Sequence, residues 1–211
     1  MLTRRHIRIK VMQQVYACTL TQNDDLTAAE KHLTHSSLGF YQLYLTLLSL
    51  LIEAQSCGRA LHEKNKKQYI KASENALNPK FFNNLALAHL SNNTTLKDQL
   101  KKYKLDHWKQ HDEYVRLVWD HISESDAYHY YLASDNADFQ EDKTFLVRLF
   151  TDVIAPFDRL YECIEEIKPT WVDDLPLVNT IVRNTLTHIK DQPQSKLILI
   201  EAYKDPEDAQ F

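Results

Sequence analysis

The sequence predicts an all-α protein, and three observations carry the prediction. Glycine is nearly absent: only Gly39 and Gly58 occur in 211 residues, roughly an eighth of an average usage of about 7%. Apolar residues recur at helical spacing almost throughout. Asn, Asp, Thr and Pro punctuate that periodicity at positions where helices start and stop. Tight hairpins and phosphate-cradling loops both need residues that accept positive φ. Two glycines cannot write a Walker loop or a dinucleotide fingerprint, so both are excluded.

The elements follow in order. Thr3 to about Leu20 reads as the first helix, with Ile7, Val11, Val15 and Cys18 on one stripe and Arg5, Arg8 and Met12 on the adjoining face. Asn23 is placed to cap a second helix to about His35. A third helix spans about Leu38 to Cys57, with Leu43, Leu47, Leu50 and Leu51 as a buried seam and Gly58 as its stop. Residues 60–75 form a charged helical extension. Asn78-Pro79 is a start signal for a helix carrying Phe81, Phe82, Leu85 and Leu87, which ends at Ser91-Asn92-Asn93. Thr95 and Asp98 are spaced as a capping box for the next helix. The helix after it carries Tyr114, Leu117, Val118 and His121. Ser134 to Gln140 reads as a loop.

Beyond that loop the periodicity is strongest. Leu146, Phe150, Val153, Phe157, Leu160, Ile164 and Ile167 are spaced alternately by four and three, a narrow apolar seam. Pro156 lies inside it and predicts a kink or break. Lys168-Pro169 ends it. Asp173 or Asp174 then caps a helix with Leu175, Val178, Val182, Leu186 and Ile189 on one face. Asp205-Pro206 reads as another helix start five residues before Phe211, which gives the expectation of further chain.

Bulk counts narrow the function. The chain has a mass of 24.8 kDa and a formal charge of −4, with 44% hydrophobic and 26% charged residues, a globular balance. Cys18, Cys57 and Cys163 are odd in number and far apart, which argues against a disulfide framework or structural zinc site. The N-terminus is charged at once, with no signal-peptide core, and the apolar stretch Leu38 to Ile52 is too short to span a bilayer. The expectation is a cytoplasmic protein with no membrane association. Charge is distributed unevenly: residues 1–23 carry four basic side chains and no acid, 59–71 are again strongly basic, and 120–166 hold twelve acids against three basic residues. Such asymmetry allows local binding of a polyanion. The lysines of 59–71 read as a solvated helix flank.

The segment Arg4-Arg5-His6-Ile7-Arg8-Ile9-Lys10-Val11-Met12-Gln13-Gln14-Val15-Tyr16-Ala17 resembles the opening helix of the NusB family, bacterial transcription antitermination factors that bind RNA. Arg4, Arg5 and Arg8 match the arginine cluster of that helix, and Gln13 and Tyr16 its closing Gln-x-x-Tyr; His6 stands where a further arginine is common. A second stretch, Asp142 to Ile189, is similar to the family's central helices through Phe145-Leu146, Leu149-Phe150, Trp171-Val172-Asp173-Asp174 and Ile181-Val182-Arg183. The arrangement with a long middle segment resembles Bacteroidetes-type NusB-related proteins. The family's closing helices have no counterpart up to Phe211.

The resemblance implies an all-α helical bundle like NusB with a long helical insert. Within 1–211, residues 1–54 would hold the RNA-binding helix and the first bundle helices, 55–140 the insert and 141–211 the core helices. It implies a non-catalytic factor in antitermination or termination on ribosomal RNA operons. The ligand would be single-stranded, boxA-like RNA, and the partner the small-subunit ribosomal protein that doubles as NusE. Contact would run through Arg4, Arg5, His6, Arg8, Lys10, Gln13 and Tyr16. Those residue types suit RNA, with cations for phosphates, and His, Gln and Tyr for hydrogen bonding to or stacking on unstacked bases. The acidic 120–166 segment suits a basic ribosomal protein by charge alone. A homodimer stays open. The runner-up is a helical protein–protein adaptor of the same fold without RNA binding.

Catalysis finds little footing. His107, His111-Asp112 and His121 are close in sequence, but with ten histidines in the chain one His-Asp pair arises by chance. His32 and His35 read as surface residues. No Gly-x-Ser-x-Gly occurs, and Glu165-Glu166 and Asp173-Asp174 point adjacent carboxylates to different faces. No catalytic residue, metal or cofactor is expected. The aromatics Tyr41, Tyr44, Phe81, Phe82, Trp108, Trp119, Tyr128, Tyr130 and Tyr131 are assigned to core or partner packing.

Overall fold

The computed structural model describes residues 4–22, 24–67, 78–135, 138–191 and 199. Among these every regular element is helical and no strand is present. The order is α1 (Arg4–Thr21), α2 (Leu26–Lys67), a 3-10 turn (Lys80–Asn83), α3 (Leu85–Asn92), α4 (Thr94–Lys102), α5 (His107–Gln110), α6 (Asp112–Glu124) and α7 (Asp126–Ala133). Then come α8 (Phe139–Arg148), a π-helical turn (Leu149–Ile154), α9 (Asp158–Ile167), a second 3-10 turn (Pro169–Asp174) and α10 (Leu175–Thr187). The bundle is built around α2, which packs against α1, α6 and α10. Long and apolar enough by composition to cross a bilayer, α2 has 72% of its most apolar window buried inside the protein. Its seam residues Leu43, Leu47 and Leu50 are fully enclosed.

Two helices foreseen on either side of residue 36 are one. The helix α2 runs unbroken for 42 residues, through the Ser36-Ser37-Leu38-Gly39 stretch, and Gly58 does not stop it. Neither glycine has positive φ. What Gly58 provides is closeness: a Cβ built there would lie 2.5 Å from the Trp119 ring. At the start of α2, Asp25 accepts the Ala28 N–H at 3.0 Å; the charged extension expected at 60–75 is helical as far as Lys67, and its second half (68–75), the proposed cap Asn23, Asp205-Pro206 and the Thr3 start lie outside the described residues.

The caps explain other differences. Asn78 Oδ1 accepts the Lys80 N–H at 2.9 Å, but the turn it opens is 3-10 and short. Asn84 starts α3 separately, accepting the Leu87 N–H at 2.9 Å. For α4 the cap is Asn93, which accepts from Leu96 at 2.7 Å, so the Thr95–Asp98 capping box does not form. An asparagine beside the chain turn outcompetes the later threonine because its carbonyl reaches the N3 amide directly. The break at Pro156 is real: the preceding turn widens, and the Ala155 N–H donates to Phe150 O at 2.8 Å, five residues back.

The core gathers the predicted aromatics. Of those named above, only Tyr130 is exposed. The Tyr131 and Phe145 rings stack at 3.8 Å. Beside them Asp142 is buried, accepting the Tyr131 hydroxyl and the Leu85 N–H at 2.6 Å each. This buried carboxylate ties α3, α7 and α8 together with its hydrogen bonds satisfied. All five residues foreseen on the inner face of α10 are buried.

Candidate nucleic-acid interface

On α1 the buried stripe is rotated one residue from its predicted place. Ile7, Lys10, Gln14 and Cys18 face the protein, whereas Val11 and Val15 face outward. The cause is an ion pair. Lys10 Nζ donates to Asp174 Oδ2 at 2.8 Å and to Ser36 Oγ at 2.9 Å, joining α1, α2 and the start of α10. Lys10 is 8% exposed. Its assignment as a phosphate contact is therefore corrected: a buried, paired ammonium does not reach a ligand. The same bond corrects Asp174, which makes no side-chain cap to α10. Burial pushes the Asp174 carboxyl above its ordinary value, and Lys10 only partly offsets that.

The remaining predicted contacts separate into two groups. Arg5, Arg8, Gln13 and Tyr16 are exposed. Arg8, Met12 and Tyr16 follow one another at intervals of four, and Arg5 precedes Met12 by seven, so the four share the outward face. From Arg8 to Tyr16 is about 12 Å along the axis. Arg5 and Arg8 have no ion-pair partner among the described residues. Arg4 is exposed too but is engaged in a contact of its own. His6 is half-buried and likewise engaged. Burial, then the nearby Arg5 charge, pull the His6 imidazole below its ordinary value and favour its neutral form.

The outward face also has an apolar component that the arginine motif does not account for. Met12 is 71% exposed, and Tyr16 and Leu20 are each 66% exposed; Ile9 and Val15 lie beside them in the open. A separate groove at the α1–α2 turn, lined by Gln14, Val15, Cys18, Asp24 and Leu26, meets this face only at Val15. The sequence signal was present: with Lys10 turned inward, the helix has more apolar positions than one buried stripe accommodates.

The histidines considered for catalysis, His107, His111 and His121, each lie beside an aromatic ring. The His107 ring meets Trp171 edge-on at 5.6 Å, and His121 stacks on Phe157 at 4.2 Å. Among the described residues no three His, Cys, Asp or Glu side chains are grouped to hold a metal ion. No family model, curated protein or solved structure matches the chain.

Proposed function

We propose that the chain is a NusB-like, non-catalytic RNA-binding factor of the cytoplasm, acting in transcription antitermination or termination on ribosomal RNA operons. The observation that carries the reading is the outward face of α1, where Arg5 and Arg8 stand exposed and without carboxylate partners among the described residues, in line with Tyr16. Unneutralised guanidinium groups are free to replace the counterions of a phosphate chain, and a phenol on the same face offers a base a stacking surface. The resemblance of this helix to the NusB opening helix makes boxA-like single-stranded RNA the ligand to test. Exposed carboxylates on and near α9, at Asp158, Glu162, Glu165 and Glu166, suit a basic NusE-type ribosomal protein; the buried Asp142 drops out of that face.

The test is a titration with single-stranded boxA-like RNA at two salt concentrations. Affinity is expected to fall steeply with salt. The double change Arg5→Ala/Arg8→Ala should weaken binding and flatten the salt slope by about 1.4, at about 0.7 per phosphate contact on a single strand. Unchanged affinity in that variant overturns the reading.

A second reading is a protein–protein adaptor of the same fold. The open apolar row of Ile9, Met12, Val15 and Leu20 favours it, because contiguous exposed apolar surface usually marks an interaction site.

A further inference from the structure

Among the described residues ten large apolar side chains are exposed, and seven of them fall between Ile9 and Leu26. The other three, Leu85, Leu117 and Tyr130, are scattered singly over later helices, as on an ordinary surface. The cluster exists because α1 meets the bundle by a narrow stripe. Ile7, Lys10, Gln14 and Cys18 face inward, and the opposite side is open.

That open side has a regular spacing. Arg5, Ile9, Met12, Tyr16 and Thr19 follow one another at intervals of 4, 3, 4 and 3, and all five are exposed. Positions that repeat every 3.5 residues form the seam between two packed helices. The seam is symmetric about Met12: Ile9 and Tyr16 flank it first, then Arg5 and Thr19. Such a row is complementary to itself when two copies run antiparallel. A two-fold axis at Met12 then brings Ile9 beside Tyr16 of the partner subunit, and Arg5 beside Thr19 of the partner subunit.

Charge selects the same arrangement. Parallel copies would set each arginine against its own counterpart. In the antiparallel pair the two Arg8 groups are about 12 Å apart along the axis and the two Arg5 groups about 21 Å, beyond the Debye length of roughly 8 Å at physiological salt. The antiparallel pair also carries each Arg5 toward the α1–α2 turn of the other copy. Asp24 is exposed on that turn, with no ion pair among the described residues.

We propose that the outward face of α1 is the docking surface for a second copy of this chain, in an antiparallel α1–α1 pair with its two-fold axis at Met12. Met12 packs on its own copy, Tyr16 covers the partner's Ile9, and Arg5 meets the partner's Asp24. The contact is small. At 18 residues, α1 is about 27 Å long, and two such helices side by side bury less than the roughly 1,200 Å² where stable interfaces begin. The dimer is therefore weak: the face is open at a few micromolar and covered in concentrated solution. Self-association needs no nucleic acid, so this inference is independent of the function proposed above.

Sedimentation velocity of the full chain without RNA, from about 5 to about 500 μM, tests the proposal. A monomer is expected at the low end and a monomer–dimer equilibrium above it. Met12→Glu sets two carboxylates on the axis and should raise the dissociation constant at least tenfold. Because Met12 is exposed in the single chain, that variant should keep the helical circular dichroism of the parent. Leu117→Glu changes an exposed apolar residue on α6 instead and should leave the dimer intact. In a Cys18→Ser background, Met12→Cys should form a disulfide-linked dimer under diamide, since a residue on the axis meets its own copy within disulfide reach. A chain that stays monomeric throughout overturns the proposal, whatever RNA does at Arg5 and Arg8. A dimer that survives Met12→Glu, a dimer lost in Leu117→Glu, or a Met12→Cys chain that does not cross-link overturns it as well.

Discussion

Lys10 and Asp174 form an ion pair across 164 residues of sequence, Nζ to Oδ2 at 2.8 Å, with side chains 8% and 14% exposed. This bond sets the rotation of α1, and so decides which of its residues meet solvent. Removing one partner of a buried pair strands the other. Lys10→Met should therefore cost about 3 kcal/mol of unfolding free energy, the lower end of the usual range of about 3–5. The lower end is expected because Asp174 is already held above the ordinary carboxylate value and can take up a proton when its partner goes. Urea unfolding measures the loss. The same variant should leave RNA affinity unchanged at temperatures where it is folded, unlike the arginine changes; a proportionate fall would return Lys10 to the binding face.

The apolar face of α1 makes a prediction in the opposite direction. Met12 and Leu20 are each about two-thirds exposed, so Met12→Ser and Leu20→Ser remove little packing. Their unfolding free energies should stay within about 0.5 kcal/mol of the parent, as for surface changes generally. Losses several times larger, measured by the same urea method, would mean that this face is covered in solution and that the adaptor reading gains at the expense of RNA.

Gly58 and Gly39 give a matched pair. Both sit inside α2, where alanine is the better helix former by about 1 kcal/mol. At Gly58 the new methyl would meet three Trp119 ring carbons at 2.5–2.6 Å. Trp119 cannot retreat, because Phe81, Phe82 and Tyr128 pack around it. Overpacking of about 1–3 kcal/mol then exceeds the helix gain, and Gly58→Ala should lower the melting temperature. At Gly39 the nearest atom is the far end of a lysine, which can move aside. Gly39→Ala should leave the melting temperature equal or higher. A reversed order of the two would refute the packing at Trp119.

This pair also shows what the sequence could and could not reveal. Helical class was legible because glycine scarcity and 3.6-residue periodicity are local properties of the chain. The faces of α10 and of the Leu146–Ile164 seam were legible for the same reason. Gly58 was misread as a stop because a glycine that ends a helix and one that admits an indole look alike until the distant partner is known. Lys10 was misread because its partner Asp174 is remote, and a lysine among arginines looks like one more solvated cation. Arg5, Arg8, Gln13 and Tyr16 stayed on the open face because they need no partner to be there. Lys168 was read only as the end of a helix and Trp171 only as part of a family resemblance; their convergence on Gly39 depends on how the second 3-10 turn lies against α2.

Stability should fall on mild acidification, and the histidines give the sign. Burial, then the charges of His111 and Lys168, hold the His107 imidazole below its ordinary 6.5, with Asp106 opposing. His6 is shifted the same way by burial and Arg5. With the folded value depressed, the unfolded chain takes up protons first, so the folded state is favoured fully above pH 6.5. That advantage is lost progressively as pH falls from 6.5 through the folded values. Asp174 runs the other way, since its raised value favours the folded state as pH drops through that value toward 3.8, and the comparison with a His107 variant separates the two contributions. The melting temperature should therefore decline between pH 7.5 and 5.5. His107→Phe keeps a ring against Trp171 and removes the titration, so its decline should be shallower. An equal slope in that variant would take His107 out of the account.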